Sequence, residues 1–307
     1  MKSLKKIPSL NVLLTFFVLV SFFSCGRSAQ DLDPVSIEDW ILGTSVSIRE
    51  EFSPETFLQI KEAGIEYAEL GLRAPQFYAD SLERDEFCRQ VKEAASETGV
   101  KIWSIHIPYG KKWDISEPVG TVRQDVIKQH QTLFEIFAIL QPEKAIIHPS
   151  FEPNPAEERE TRFESCRKSL SVLASEAKTY GVELVIECLP RTCLGNSGEE
   201  ILRLLEGNEN LGVCCDVNHM LKETPEEFIQ TVGSRITTLH ISDYDGLDER
   251  HWPPGKGIIN WNLVIKSLLA ADYSGPFLLE YGDTPENKAA VWENLKSDFL
   301  QYKSKTI

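Results

Sequence analysis

Two apolar, β-prone runs, Leu211 to Cys215 and Ile236 to Leu239, each stop at a side chain able to bind a metal ion: Asp216 after the first and His240 after the second. His219 follows Asp216 by three residues, and Asp243, Glu249 and His251 crowd the stretch after His240. A short amphipathic segment, Pro225 to Val232, links the two runs. A β-helix-β connection of that length lays its strands parallel with like ends together, so Asp216 and His240 become neighbours. Carboxylates and imidazoles gathered in this way suit two kinds of chemistry: holding a divalent cation and moving protons.

The same arrangement recurs along the chain. His106, His148, Glu187, Asp216, His240 and Glu280 each end an apolar run, at successive spacings of 42, 39, 29, 24 and 40 residues. Five of the six histidines fall at strand ends or in the loop after the seventh strand; His130 sits in the helical run QDVIKQHQTLFEIF and reads as a surface or packing residue. Candidate strands end near Ile48, Gly71, His106, His148, Glu187, Asp216, His240 and Glu280. Helical periodicity fills the gaps: Pro54 to Ala63, Ser81 to Thr98, Val122 to Leu140, Ala156 to Tyr180, Glu199 to Glu206, Pro225 to Val232, Trp261 to Ala271 and Pro285 to Tyr302. Ser53-Pro54, Thr224-Pro225 and Thr284-Pro285 are helix starts, and Gly64, Gly99 and Gly181 are stops. Alternation of this kind predicts an α/β fold, a closed (β/α)8 barrel over residues 37–307, whose active site lies at the carboxyl ends of the strands.

The N-terminal segment is of another kind. Lys2, Lys5 and Lys6 precede an apolar core, Val12 to Phe23, which is well short of the ~20 residues that span a bilayer. Residues 1–24 read as a secretory signal peptide, and Phe22-Phe23-Ser24-Cys25 resembles the junction of a bacterial lipoprotein signal. The resemblance implies a lipidated Cys25, a tether over residues 25–36 and an exported, cell-envelope location, with a lipid anchor as the only membrane association; an ordinary cleaved signal is the alternative. Loss of the three lysines takes the formal charge from -15 to -18, which repels phosphate backbones and argues against nucleic acid as a partner. The six cysteines beyond Cys25 lack CxxC spacing and read as core thiols, with a Cys188 and Cys193 pair left open.

The ordered set of Glu187 in VELVIECLP, Asp216 and His219 in CCDVNH, His240 and Asp243 in LHISDYDG, the stretch His251 to Gly257 and Glu280 in PFLLEYG resembles the xylose isomerase-like barrel superfamily. GTSVSIREEFSPETFLQIKEAGIEYAELG extends the resemblance to the first two strands. That group includes sugar isomerases and epimerases, inosose dehydratases and type IV apurinic endonucleases. The resemblance implies that Glu187, Asp216, His240 and Glu280 ligate one divalent metal ion, a set suited to Mn, Co, Mg or Zn. His219 matches a substrate-binding or second-metal position, and Glu249 and His251 either complete a second metal site or lie in the sugar pocket. His106 and His148 match positions that ligate extra zinc in the endonucleases and face substrate in sugar enzymes; orienting hydrogen bonds are the alternative. Gly246 stands where some ketose epimerases place a substrate-binding Arg.

The resemblance implies a small-molecule carbohydrate substrate and an enzyme of the isomerase or epimerase type, with Glu187 and Glu280 passing a proton by way of an enediolate. Trp103, Tyr109, Trp113 and Trp252 are candidates to stack on sugar faces. A keto-sugar lyase, a phosphodiesterase or endonuclease, and a noncatalytic sugar-binding lipoprotein are the competing readings. Export favours an unphosphorylated sugar, keto-sugar or glycoside, because sugar phosphates are largely confined to the cytoplasm. The anchor is tested by fractionation: Cys25→Ala should move the protein out of the membrane fraction, and continued membrane association of the variant would refute lipidation at Cys25.

Overall fold

A computed structural model describes residues 36–306, so the expected signal peptide, Cys25 and all of the tether except Ser36 lie outside the described residues. Eight strands form one parallel sheet: β1 (Leu42–Ile48), β2 (Tyr67–Leu72), β3 (Lys101–His106), β4 (Lys144–Ile147), β5 (Glu183–Glu187), β6 (Gly212–Asp216), β7 (Ile236–His240) and β8 (Phe277–Leu279). Their order is β7-β6-β5-β4-β3-β2-β1-β8. The ring closes where Ile241 N–H donates to Leu278 O and Glu280 N–H donates to Ile241 O, both at 2.9 Å. This is the expected (β/α)8 barrel. β4 and β8 end one residue before His148 and Glu280, which therefore stand just beyond the ladder.

The helices are α1 (Glu55–Glu62), α2 (Ser81–Thr98), α3 (Gly120–Phe134), α4 (Phe137–Leu140), α5 (Arg159–Thr179), α6 (Gly198–Leu205), α7 (Pro225–Val232), α8 (Trp261–Ala270) and α9 (Pro285–Thr306). Local chemistry sets several of their ends. Asp80 accepts the N–H groups of Leu82 and Glu83, Thr224 and Glu227 form a capping box, and Gly99 closes α2 with a left-handed φ of 74°. The helix expected over Val122 to Leu140 is broken between α3 and α4. Arg84 takes the Thr132 carbonyl and the Glu135 carboxylate, and the Ile136 N–H turns to Leu133 O instead of Thr132 O. None of the helices among the described residues is long and apolar enough to cross a membrane.

Strand periodicity divides the core in two. Outward side chains join those of the helices, such as Phe57 of α1, Phe163 of α5 and Phe228 of α7, in one continuous apolar layer. Inside the barrel Ile146, Val185 and Cys214 make a small separate cluster. The register of β2 against β3 slips at Trp103, a bulge that lets both Trp103 and Ser104 reach interior partners, Thr238 and Glu69. Trp103 is thus a buried interior residue and not a sugar platform. At the amino end of the barrel, Trp40 donates to Tyr273 O at 2.8 Å and stacks on Phe277, which stacks in turn on Trp292. These rings lock β1, β8 and α9 together. Trp40→Ala should cost about 3 to 5 kcal/mol in urea unfolding; a loss below 1 kcal/mol would show that the closure does not depend on it.

Candidate active site

Side chains two apart on a strand share a face, so Glu183, Val185 and Glu187 point inward together, as do Cys214 and Asp216, and Thr238 and His240. The last member of each series emerges at the carboxyl end of the barrel. There Glu187, Asp216, His240 and Glu280 converge, with one potential ligand atom from each lying within 4.8 Å of all the others. His240 Nδ1 is 3.2 Å from Glu187 Oε1, 3.0 Å from Glu280 Oε2 and 3.9 Å from Asp216 Oδ2. On the other side of Glu187, Oε2 lies 2.9 Å from His148 Nε2 and 3.2 Å from His106 Nε2. Only Glu280 retains appreciable exposure within the set, its side chain being 23% accessible against 2% for Glu187.

One buried acid of this cluster escaped the sequence reading. Glu69 of β2 is 1% exposed, accepts a hydrogen bond from Ser104 Oγ at 2.6 Å, and sets Oε1 2.9 Å from His240 Nε2, off the line of the ring N–H. A carboxylate behind a ligating imidazole fixes which ring nitrogen faces the ion and raises its basicity. The available signal was a lone Glu in the otherwise apolar, inward-facing half of YAELGL.

A second group, His219, Glu249 and His251, adjoins the first. His219 Nδ1 donates to Cys188 O at 2.9 Å, and its Nε2 is 3.0 Å from Glu249 Oε2. Arg191, absent from the sequence-based site, grips Glu152, Asp248 and Glu249 at 2.8, 2.5 and 2.8 Å and so ties the loops after β4, β5 and β7. Asn218 Oδ1 accepts the N–H groups of Arg250 and His251, while the buried Asp243 accepts from Gly255 N–H, Ile259 N–H and Trp261 Nε1. The last loop is packed so closely that a Cβ on Gly257 would sit 2.1 Å from Tyr244 O. Gly246 has φ 77°, and a side chain there would also meet Ile258, so the fold itself disfavours an Arg at that position.

The two tryptophans expected at the sugar, Trp113 and Trp252, stand in different settings. Trp113 packs edge-on to His130 with ring centroids 5.0 Å apart and adjoins the core. Trp252 is 37% exposed and pairs through its backbone with Asp243. His130 resolves to the packing role: it is fully buried, and burial pulls its pKa down to about 4. Tyr109 does belong to the site, stacked on His148 at 4.6 Å, with Arg73 donating to its hydroxyl. All six described cysteines are free and buried, so no Cys188 and Cys193 bridge forms.

The cluster balances its own charge. Burial penalises the Glu187 carboxylate, but His148 and His240 outweigh it and hold the acid well below its usual range; His240 likewise holds Glu280 down at about 2. Asp216 goes the other way, raised to about 7 chiefly by burial. Burial also opposes charge on the imidazoles, yet the facing carboxylates raise His106 to about 9 and His219 to about 10, and put His240 well above its ordinary value. His148 is lowered by burial. The donor set fits a divalent cation on a further observation: Asp216 Oδ2 is buried without a hydrogen-bond partner, although His219 Nδ1 is 3.1 Å away, because that nitrogen donates to Cys188 O. A cation there would complete the coordination of a carboxylate oxygen that the protein leaves bare.

A proton held on Asp216 must leave before a metal ion enters. Since His240 is held protonated as well, apparent affinity for Mn or Zn should rise by more than about tenfold per unit between pH 6 and 7, where ordinary carboxylates would show no change. Glu69→Gln should weaken that binding by about 10- to 100-fold at pH 7.5 with an unchanged circular dichroism spectrum. Calorimetric titration checks both, and affinity independent of pH would contradict the charge balance described.

Comparison with known proteins adds the lineage. A family model described as xylose isomerase-like TIM barrel matches residues 57–299. A solved D-tagatose 3-epimerase-like protein superposes with a TM-score of 0.69 at 20% identity, covering 86% of this chain and 98% of that one. An L-ribulose 3-epimerase gives 0.68 at 17% identity, covering 86% and 97%. An uncharacterised protein of Methanocaldococcus jannaschii is 29% identical over 154 residues, which are 46% of this chain and 51% of that protein, so the match spans about half of this relative. Its family match covers most of the chain and includes the strands that carry Glu187, Asp216, His240 and Glu280, and with the eight-stranded barrel it makes this protein a member of the xylose isomerase-like TIM barrel family.

Proposed function

We propose that the protein is a divalent-metal-dependent sugar isomerase or epimerase acting on an unphosphorylated sugar, keto-sugar or glycoside. The observation that carries the reading is the pairing of Glu187 and Glu280, two carboxylates of one cluster held by the same His240 nitrogen at 3.2 and 3.0 Å, one sealed and one opening to the cavity. The similar folds of a D-tagatose 3-epimerase-like protein and an L-ribulose 3-epimerase support it. Glu187, Asp216, His240 and Glu280 would hold the ion, which when bound supplies Lewis-acid polarisation of a carbonyl and its neighbouring hydroxyl.

The chain's own groups then do the proton chemistry. Glu280, the more accessible carboxylate, takes the proton from the carbon next to the carbonyl, and Glu187 returns one from across the substrate by way of an enediolate. Return to the opposite face of the same carbon epimerises; return to the adjacent carbon isomerises. His106 and His148 hold Glu187 in place. A keto-sugar lyase would share the first step and differ only in expelling a leaving group. Phosphate recognition is disfavoured by the loop cations, since Arg191 is engaged by Glu152, Asp248 and Glu249, and Arg250 by Asp245. An exported location, with Cys25 lipidated, fits the same substrate class.

A second reading, metal-dependent phosphodiester hydrolysis, is favoured by the extra groups His219, Glu249, His251 and His106, Glu187, His240, which would let the site hold more than one ion. Metal stoichiometry and turnover of bis(p-nitrophenyl) phosphate separate the two. For the leading reading, ketoses incubated in D2O should acquire deuterium next to the carbonyl, and Glu280→Gln should lower turnover by about 10² to 10⁴-fold while leaving the melting temperature intact. A free ketose should be turned over well and its phosphate ester poorly. Unchanged turnover in Glu280→Gln, or preference for the ester, would overturn the assignment.

A further inference from the structure

The strand-end site does not stop at the metal-type cluster. One cavity of about 300 Å³ lies against Glu69, His106 and Glu280 and, with the adjoining pocket of about 180 Å³ that Glu187, Asp216 and Glu280 line, is the natural seat of a reacting sugar. His251 and Glu280 also line a larger cavity of about 460 Å³, which runs away from the cluster between β1, α1 and the start of α9. The two share Ser45, Val46 and Ser47 as well, so they form one continuous trough with Glu280 near its middle.

The walls of the larger cavity differ in kind from the cluster, whose polar groups are carboxylates and imidazoles set against one another. Ser45, Ser47, Thr56 and Gln59 make no side-chain hydrogen bond among the described residues. Tyr281 is 5% exposed, and its buried hydroxyl has no partner. Lys288, also 5% exposed, donates to Thr44 Oγ1 at 2.7 Å, which leaves two of its three donors unassigned by any hydrogen bond. A buried hydroxyl without a partner is costly, and a ring of uncommitted hydroxyl, amide and ammonium groups is what recognition of several hydroxyls requires.

We propose that this cavity is a second sugar-binding subsite and that the substrate is a two-unit glycoside, with the reacting sugar beside Glu187 and Glu280 and the second sugar held by Ser45, Ser47, Thr56, Gln59 and Tyr281. The inference rests on the proposed sugar chemistry and narrows it to a substrate of at least two rings. The walls offer hydroxyl and amide groups, and the one ammonium, Lys288, is countered by Asp283 and Glu280, which together select an uncharged second unit.

Calorimetry on the full chain loaded with Mn decides the matter, with D-fructose as the one-ring ketose and lactulose and isomaltulose as ketoses that carry a second ring. At least one disaccharide should bind about tenfold more tightly than fructose, the gain from one or two well-made hydrogen bonds. Gln59→Trp, on the exposed face of α1, should abolish that gain without changing the affinity for fructose, and the milder Gln59→Ala should reduce it. Fructose binding as tightly as both disaccharides, or a gain that survives both substitutions, overturns the subsite while leaving the sugar reading intact. Binding of none of the three, with the metal in place, removes the sugar reading and the subsite together.

Discussion

Burial of charge is the constraint on which this structure turns. Glu69, Glu187, Asp216 and His240 are almost wholly withdrawn from water, and each ion moved into such surroundings costs several kcal/mol unless it is compensated. Here carboxylates and imidazoles alternate so that each acid meets a nitrogen. His240 lies between Glu69 on one side and Glu187 with Glu280 on the other, and Glu187 in turn lies among His106, His148 and His240. Protons on the imidazoles supply the positive charge that a metal ion can replace. Affinity for an ion and proton occupancy are therefore two descriptions of one balance.

The rest of the barrel is arranged to make that balance possible. Its lower interior is filled by Ile146, Val185 and Cys214, with Trp103 bonded to Thr238, which places the acids at the carboxyl end. The loops above are held by polar groups used as ties: Asp243 gathers three donors from one loop, Asn218 fixes the backbone before His251, and Arg191 joins three loops through three acids. These ties place His219, Glu249 and His251 beside the first cluster. They also make Arg191 poorly suited to binding a substrate anion, because its charge is already met.

The trough above the strands joins two chemistries. Around Glu187 the side chains are ionic, mutually bonded and rigid, which suits holding a cation and moving a proton between fixed carboxylates. Toward β1 and α9 they are mostly neutral, with Lys288 and Asp283 opposing one another, and several make no hydrogen bond among the described residues, which suits hydroxyl recognition. Glu280 stands where the two meet, at the end of the shortest strand and with the most accessible carboxylate of its set. Its position after the ladder, rather than inside it, is what exposes it to both.

The sequence by itself determined the barrel and the strand-end carboxylates and imidazoles, because both depend on short-range regularities. A two-residue period puts Glu183, Val185 and Glu187 on one face, caps such as Asp80 and Thr224 start helices, and right-handed parallel crossovers bring like strand ends together. Tertiary structure alone decided the partners. Glu69 is an ordinary strand residue until the bulge at Trp103 and the curvature of the sheet bring it against His240, which lies far off in the chain. Arg84 breaks the helix expected over Val122 to Leu140 by capturing Thr132 O from another element, and Trp113 is drawn onto His130. Periodicity fixes which face a side chain takes; which group it meets there is set by strand register and barrel closure, and no local pattern encodes those.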